Sequence, residues 1–408
     1  MHPDTEGALR KIRELTETEK NVFIGIIGNG KMGTSIMEEL FEKEFAVILY
    51  CRNKREESQQ HIEKILKRKQ KRNLITEEEY LQKCQKFQVT SELEDLEKCN
   101  LIIESITEEL KAKQDMFHAL GQIVSKECIF ATNTSSIPLN KIFQNVENKE
   151  RCMGMHFFYP VKISNTVEIN VLEETGSKEY QLVKEVVSQL GKTSVTFHQP
   201  DHMYLNNVIS VISTQSYALV KQYNIHPLRF NQDVLEPIML CGAFDIVDSV
   251  GIPIIKESLF HFMDERHKQL YEPFYKVCSQ MEQEGYLGKG SEKSFYDYFT
   301  EHCNMSKMEI DKADSNLYQD AVLAVCINDL VGVLEEIKDE EAETFLRAVK
   351  DVLGFSKDVK EFYKELGYET IKRILGEFDK VSPANSYKIK TKEAFMRYLG
   401  EDTGRRKE

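Results

Sequence analysis

The stretch Val22-Phe-Ile-Gly-Ile-Ile-Gly28-Asn-Gly30-Lys-Met-Gly33 decides the fold, because it joins an apolar run directly to three spaced glycines. The amphipathic stretch Ser35-Ile-Met-Glu-Glu-Leu-Phe41 follows, so the order is strand, glycine turn, helix. In this context Gly28 permits a tight turn, Gly30 lets the backbone approach a diphosphate, and Gly33 lets the helix pack on its strand. The helix start then offers free N–H groups to the phosphates. The pattern predicts a dinucleotide-binding unit, and a purely structural glycine turn is the alternative.

Bulk composition indicates a soluble protein of several domains. The chain has 408 residues, 41% of them apolar and 30% charged, which is material for more than one core. Its net charge of −13 argues against a nucleic-acid partner, since such proteins carry a basic face. The nine cysteines are scattered and form no C-x-x-C pair. They indicate free thiols in a reducing compartment and no metal site.

The first residues and the apolar runs lead to an expectation about location. Residues 1–19 are largely polar and include no apolar signal-type segment, and no apolar run reaches membrane-spanning length. We therefore expect a cytoplasmic protein without a membrane partner.

Short apolar runs alternate with helical patterns up to about residue 199, and strand patterns then stop. This alternation predicts an α/β domain with a parallel, doubly wound sheet, followed by an all-α region. The predicted strands are 22–28, 46–51, 101–104, 128–132, 152–157, 166–171 and 194–197.

The same pattern gives the expected domain boundaries. The α/β domain is predicted to be followed by a first helical domain and then by an additional helical region. The ranges are 1–20 for an N-terminal helical extension, 21–199 for the α/β domain, 200–305 for the first helical domain and 306–408 for the additional region.

A long helical insert, roughly residues 55–86, separates the second and third predicted strands. Six of the nine positions from 64 to 72 are basic. A solvated helix face is one explanation. A phosphate-binding arm is the other, because these cations form a positive island on an acidic protein. The six are Lys64, Lys67, Arg68, Lys69, Lys71 and Arg72.

The end of the second predicted strand bears on the choice of nucleotide. In dinucleotide folds an acidic residue at this point usually binds the adenosine ribose hydroxyls. Here Ala46-Val-Ile-Leu-Tyr-Cys51 ends without one and continues into Arg52-Asn-Lys-Arg55. The missing carboxylate removes repulsion toward a 2′-phosphate, and Arg52 offers it a bidentate partner. We expect NADP(H) to be preferred and NAD(H) to be possible, the alternative being that these cations only begin a surface helix.

A histidine and a glutamate stand on two adjacent predicted strands. Oxidising an alcohol by hydride transfer needs a base for the hydroxyl proton, and the pKa of histidine suits that role. A carboxylate can orient the imidazole and stabilise its charged form. His156 and Glu168 are therefore candidates for this pair. A packed core histidine is the alternative.

Taken together, the motifs of residues 20–300 resemble those of the 3-hydroxyacyl-CoA dehydrogenase family. They occur in the family's order and at matching intervals. They are Gly28-x-Gly30-x-Met32-Gly33, Ile103-Glu-Ser-Ile-Thr-Glu108 with Lys113, Asn133-Thr-Ser-Ser136, His156-Phe-Phe with Pro160, Val167-Glu168, Gly242-Ala-Phe-Asp-Ile-Val-Asp248-Ser-Val-Gly251, and Gly288-Lys289 with Phe295-Tyr296.

The resemblance implies a Rossmann-like domain, an all-helical domain, and a role for each matching residue. His156 would be the general base, Glu168 its orienting carboxylate, and Ser135 the group that holds the substrate oxygen. Asn206 would be an active-site asparagine. The basic insert would be the arm that closes over the CoA nucleotide, which makes Arg72 a substrate-binding residue. The implied cofactor contacts are the glycine turn with Met32, together with Glu108 and Lys113.

The chain departs from the family pattern at four places. The asparagine expected after His-Phe-Phe is Tyr159, which can still donate one hydrogen bond to a cofactor. The Pro-Gly-Phe turn ahead of Asn206 is replaced by Asp201-His-Met203. The Gly-Pro-Phe motif reads Gly242-Ala-Phe244, and glycines expected around Phe295-Tyr296 are Glu292 and Ser294.

The leading interpretation is an oxidoreductase that interconverts a 3-hydroxyacyl thioester and its 3-ketoacyl form. One alternative keeps the fold and takes a carrier-protein-bound hydroxyacyl group or a free hydroxy acid. Another is a non-catalytic, nucleotide-binding regulatory protein. Residues 306–408 could be a degenerate second copy of the helical domain, which would give a pseudo-dimeric monomer in place of a homodimer.

Overall fold

The computed structural model describes residues 22–198, 204–263, 268–381 and 388–401. The chain divides into two compact units, Met1–His202 and Met203–Glu408. The expected helical extension over 1–20 and the departure at 201–203 lie outside the described residues. The expected separation of 306–408 from 200–305 stays a prediction.

The first unit is built on an eight-stranded sheet. The strand order is β3-β2-β1-β4-β5-β6-β7-β8, and every neighbouring pair is parallel except β6 and β7. All seven predicted strands are present, within one residue at each end. The strands are β1 (Phe23–Ile27), β2 (Ala46–Tyr50), β3 (Phe87–Thr90), β4 (Leu101–Glu104), β5 (Ile129–Thr132), β6 (Cys152–Phe157), β7 (Thr166–Val171) and β8 (Thr193–Phe197).

Strand β3 is not predicted from the sequence. Its four residues, Phe-Gln-Val-Thr, are too few to show an apolar period, and they follow a charged helix directly. The strand pairs with β2 and places the insert beside the edge of the sheet.

The antiparallel pair of β6 and β7 also departs from the expected all-parallel sheet. Only eight residues, 158–165, join these strands. A parallel connection needs a crossover of a dozen or more residues, so this short link requires antiparallel pairing. Strand β8 is parallel to β7 again, because a full helix joins them.

Helices cover the sheet and form the insert. The first helix begins directly after the glycine turn and buries Ile36, Met37 and Leu40 against the strands. The insert is helical, as predicted, and consists of two helices. The helices are α1 (Lys31–Glu42), α2 (Arg55–Lys71), α3 (Glu77–Gln85), α4 (Leu110–Gly121), α5 (Leu139–Ile142) and α6 (Ser177–Gln189).

The described part of the second unit is helical. Its longest helix, α13, packs against α7 and α16, so residues after 306 share a core with residues before 305. Contrary to the expectation from the sequence, one apolar segment reaches membrane-spanning length: helix α13 is long and apolar enough. However, 78% of its most apolar window is buried in the protein, as expected of a core helix. The helices are α7 (Tyr204–Tyr223), α8 (Pro227–Phe230), α9 (Ala243–Val250), α10 (Ile252–Phe262), α11 (Lys268–Gln283), α12 (Phe295–His302), α13 (Lys312–Glu336), α14 (Ala342–Leu353), α15 (Val359–Leu366), α16 (Tyr368–Val381) and α17 (Lys392–Leu399).

Candidate active site

Two glycines of the turn after β1 are required by the backbone itself. Gly28 has a φ of 107°, a conformation that favours glycine, and its N–H donates to the carbonyl of Tyr50 at 2.9 Å. A Cβ at Gly33 would lie 2.1 Å from the carbonyl oxygen of Gly28. These two residues therefore bring α1 close against β1.

Gly30 has neither of these structural reasons to be glycine. Its φ of −68° suits any residue, and a Cβ at this position would meet no atom within 4 Å. Gly30 is also the N-cap of α1 and forms no side-chain capping hydrogen bond, and the first turn has no acidic residue. Open space in front of uncapped N–H groups fits a phosphate group, so the residues present suit a bound dinucleotide. Met32 packs its side chain against the core of the sheet.

The glycine turn is tied to the loop that follows β2. The amide of Asn29 donates to the carbonyl of Asn53 and to the hydroxyl of Ser58, both at 3.0 Å. This loop is where an adenosine ribose is bound in dinucleotide folds. The two hydrogen bonds therefore fix the loop carrying Arg52 relative to the phosphate site.

Of the three cations after β2, two have other partners. Arg55 donates from Nε to the carbonyl of Val89 at 3.2 Å, and Lys54 lies 3.6 Å from Glu57. Arg52 is exposed and forms no ion pair with any residue in the described ranges. A contact between Arg52 and a 2′-phosphate stays a prediction.

Lys113 lies in a buried polar network at the carboxyl end of β4. Its Nζ is 2.8 Å from Glu104 Oε1 and 3.1 Å from Glu108 Oε2, and its side chain is 1% exposed. Glu104 also accepts from Thr132 Oγ1 at 2.6 Å and from the Ile106 N–H at 2.7 Å. Burial alone would lower the pKa of Lys113, but the two carboxylates hold it above its ordinary value. Lys113 is therefore a buried cation that two carboxylates neutralise.

Glu108 connects this network to the segment after β5. Its Oε1 accepts from Thr134 Oγ1 at 2.5 Å, from the Ser135 N–H at 2.9 Å and from Ser136 Oγ at 3.2 Å. Burial alone would raise the pKa of Glu108, but the charge of Lys113 and these hydrogen bonds hold it below its ordinary value. A carboxylate thus fixes the position of Ser135, the predicted substrate-binding serine. Direct contact of Glu108 and Lys113 with a cofactor stays a prediction.

His156 and Glu168 are directly opposite each other in the antiparallel pair of β6 and β7. His156 Nδ1 lies 3.2 Å from Glu168 Oε2, and the two side chains are 7% and 0% exposed. The other oxygen, Glu168 Oε1, is buried and has no hydrogen-bond partner in the part of the chain that the structure describes. Packing against the ring of Phe158, at 4.5 Å between centroids, also restricts the imidazole. The two residues have the geometry of a base and its orienting carboxylate.

The segment after β5 and the end of β6 are joined by Asn133. Its Oδ1 accepts from the N–H of Phe157 at 2.8 Å, one residue beyond His156. Since Ser135 follows Asn133 by two residues, this bond brings the segment of Ser135 beside the histidine strand. The glycine turn lies at the same edge of the sheet, at the carboxyl ends of the strands, where ligands bind in open α/β sheets.

The structure also locates three other predicted site residues. Tyr159 is half-exposed on the loop between β6 and β7. Arg72 ends helix α2 and is exposed beside Lys64, Arg68 and Lys71 along an open groove on that helix. Asn206 is half-buried in the first turn of α7 and belongs to the second unit. The roles of these residues stay predictions.

The sequence alone does not identify Glu104 and Thr134 as polar residues of the site. Glu104 ends the apolar run Leu-Ile-Ile, and a carboxylate at the end of a buried strand is the signal that could have identified it. Thr134 is buried between two more prominent residues, Asn133 and Ser135. Its bond to Glu108 depends on two segments that are 26 residues apart.

Comparisons with known proteins agree with this architecture. The family model of the 3-hydroxyacyl-CoA dehydrogenase NAD-binding domain matches residues 23–200. The chain is 26% identical to 3-hydroxybutyryl-CoA dehydrogenase of Bradyrhizobium diazoefficiens over 67% of this chain and 94% of that protein. It is 24% identical to a glyoxysomal fatty acid beta-oxidation multifunctional protein of Brassica napus. That match covers 67% of this chain and 38% of the plant protein.

Solved structures extend the likeness in fold to most of the chain. The structure of 3-hydroxybutyryl-CoA dehydrogenase from Escherichia coli K12 has a TM-score of 0.73 at 17% identity, covering 92% of this chain and 98% of that one. The dehydrogenase part of multifunctional enzyme 1 from Caenorhabditis elegans has a TM-score of 0.60 at 20% identity, covering 93% and 89%.

The glycine turn, the eight-stranded sheet and the matching family model together indicate an NAD-binding oxidoreductase of Rossmann-like fold. Residues 23–200 carry the NAD-binding domain of the 3-hydroxyacyl-CoA dehydrogenase family.

Proposed function

We propose that this protein interconverts a 3-hydroxyacyl thioester and its 3-ketoacyl form with a nicotinamide dinucleotide. The observation that carries the proposal is the buried His156–Glu168 pair, with 3.2 Å between Nδ1 and Oε2. This pair lies at the same sheet edge as a glycine turn that has room for a diphosphate. The relatives named for this reaction support the same choice of substrate.

The protein's own groups supply the proton chemistry of this reaction. A bound nicotinamide would accept or return the hydride at the substrate carbon. With Nδ1 donating to Glu168, the Nε2 atom of His156 is left to take the proton of the substrate hydroxyl. The carboxylate of Glu168 then stabilises the imidazolium that forms. Ser135, fixed by Glu108, would donate a hydrogen bond to the substrate oxygen.

The assay that tests this proposal follows nicotinamide absorbance with acetoacetyl-CoA. NADPH and NADH are supplied in parallel. Turnover supports the proposal. Tight binding of a dinucleotide without turnover of any thioester would contradict it and favour the regulatory alternative.

The carrier of the acyl group is a further part of the proposal. The exposed cations beside Arg72 support CoA, because its nucleotide carries a 3′-phosphate and a diphosphate. Turnover of acetoacetyl-CoA is compared with that of the N-acetylcysteamine thioester and of a carrier-protein thioester. The comparison distinguishes CoA from a carrier protein as the group that bears the acyl chain. Faster turnover of the carrier-linked substrate than of the CoA ester would overturn the choice of CoA.

We expect Arg52→Gln to reverse the predicted preference for NADPH. Arg52 is an exposed cation on the loop beside the ribose position and has no ion pair among the described residues. Hydrogen bonds to charged groups are worth roughly 1.5–3 kcal/mol, or about 10- to 100-fold in affinity. The dissociation constant of NADPH should rise by that factor, while that of NADH stays unchanged. Isothermal titration of both dinucleotides measures the difference.

Lys54→Gln is the matched control for Arg52. Lys54 is on the same loop, but its ammonium already lies 3.6 Å from Glu57. Lys54→Gln should therefore change the dissociation constant of neither NADPH nor NADH. Equal weakening of NADPH and NADH in Arg52→Gln would refute a 2′-phosphate contact.

We further propose that the protein is a pseudo-dimeric monomer. The support is the packing of α13 on α7, by which residues after 306 cover a helix of the first predicted helical domain. Light scattering should then give a mass near 47.4 kDa. A stable species of twice that mass would contradict the proposal.

A further inference from the structure

Lys31 and Tyr159 meet although their elements are far apart in the sheet. Lys31 is the first residue of α1, after β1, and Tyr159 is on the loop after β6. The Lys31 Nζ lies 4.2 Å from the centroid of the Tyr159 ring. Strands β4 and β5 separate β1 from β6. The carboxyl ends of β1 and β6 are therefore three strand spacings, or about 14 Å, apart. The pair therefore reaches across the crevice at the carboxyl ends of these strands.

Lys31 is a cation in an unfavourable electrostatic position. The start of a helix carries partial positive charge, which disfavours an ammonium in the first turn. The first turn of α1 contains no acidic residue, and Lys31 forms no ion pair among the described residues. Its neighbour Gly30 faces open space. An anion in that space would relieve the repulsion between the ammonium and the helix.

The loop that carries the Tyr159 ring is anchored by a buried lysine. The loop of Tyr159 is anchored by Lys192, whose Nζ donates to the carbonyls of Val161 at 2.6 Å and Ser164 at 2.7 Å. A cation over an aromatic face is attracted by the ring quadrupole. The ring therefore favours side-chain conformations of Lys31 that point over the crevice.

We propose that Lys31 is a side-chain ligand of the cofactor's diphosphate and that Tyr159 is a positioning residue for it. The inference rests on the proposed function, because it needs a dinucleotide at the glycine turn. The backbone N–H groups of α1 would bind the diphosphate from one side, and the Lys31 ammonium would approach it from the other. Lys31 thus adds a full charge to a site that otherwise uses backbone dipoles.

Titration of purified protein with NADH and with NADPH, without any acyl substrate, tests the role of Lys31. Lys31→Gln should raise both dissociation constants about 10- to 100-fold, the range of a charged hydrogen bond. Lys31→Arg should restore most of the affinity. Lys162→Gln is the control, because this exposed lysine pairs with Glu42 at the far end of α1, 3.4 Å away, and should bind both dinucleotides as the wild type does.

Two variants test the role of Tyr159 in the same titration. Tyr159→Phe keeps the ring and should lose less affinity than a variant without an aromatic ring. Tyr159→Asn removes the ring and should weaken both dinucleotides about 2- to 5-fold, as expected for an exposed cation–π contact. Dinucleotide binding by Lys31→Gln should also depend less on salt concentration than binding by the wild type. This result would further support an electrostatic contact between Lys31 and the diphosphate.

Other results would overturn this inference without affecting the proposed reaction. Unchanged affinity in Lys31→Gln excludes the diphosphate contact, and a loss restricted to NADPH would assign Lys31 to the 2′-phosphate instead. Equal affinities in Tyr159→Asn and the wild type would remove the positioning role. Failure of the wild type to bind either dinucleotide would instead refute the proposed function itself.

Discussion

Replacing His156 by alanine is expected to lower kcat about 100- to 10,000-fold, the range that general acid–base assistance contributes. His156 is the imidazole that pairs with Glu168 at 3.2 Å, and its ring is nearly buried. The substitution removes the proposed proton acceptor but leaves the glycine turn intact. The dissociation constant of NADPH, measured by titration, should therefore stay close to that of the wild type.

His118→Ala is the control for this experiment. His118 is exposed on α4, in the same unit, and no group of the site contacts it. Its kcat should be unchanged. A loss of less than about tenfold in His156→Ala would contradict the assignment of the base.

Replacing Lys113 by methionine is expected to lower the free energy of unfolding by about 3–5 kcal/mol. The side chain of Lys113 is 1% exposed, and its charge compensates Glu104, which is 0% exposed. Removing the cation leaves a buried carboxylate without a counterion. Denaturant unfolding at pH 7 measures the loss.

Two further variants separate charge from packing. Lys111→Met removes an exposed cation on the same helix, paired with Asp115 at 2.5 Å, and should change stability by less than about 0.5 kcal/mol. Adding Glu104→Gln to Lys113→Met removes the uncompensated charge and should recover part of the loss. No recovery in the double variant would indicate that packing, rather than charge, causes the effect.

The loss caused by Lys113→Met should also depend on pH. The pKa of Glu108 is held below its ordinary value of 4.5, so this stabilisation is complete above that pH and disappears as the pH falls through the lowered pKa. The pKa of Lys113 is held above 10.5, so its stabilisation is complete below that pH and disappears in stronger base. The difference between wild type and variant should therefore be largest between about pH 5 and 10. A difference that grows in acid would contradict the ion pairs.

Groups that lie close together along the chain could be brought together from the sequence alone. The glycine turn is recognisable because strand, glycines and helix are consecutive, and its conformation at Gly28 follows directly. His156 and Glu168 are also near each other in the chain, on two strands with clear apolar patterns.

Features that depend on distant segments could not be identified in the same way. Strand β3 is stabilised by pairing with β2 rather than by its own four residues. The buried network around Lys113 depends on Glu108, whose partner Thr134 lies 26 residues further along the chain. The contact between Lys31 and Tyr159 depends on the order of strands in the sheet. Only tertiary structure brings such groups together.

The hairpin of β6 and β7 limits which insertions and deletions the sequence can tolerate. Because His156 is the cross-strand partner of Glu168, both members of the pair lie within a single stretch of 13 residues. Side chains alternate between the two faces of a strand, so a one-residue deletion inside either strand would turn one member away from the other. The connecting loop can change in length without that penalty. Natural variation in the chain's relatives should therefore spare the strands and accumulate in the loop.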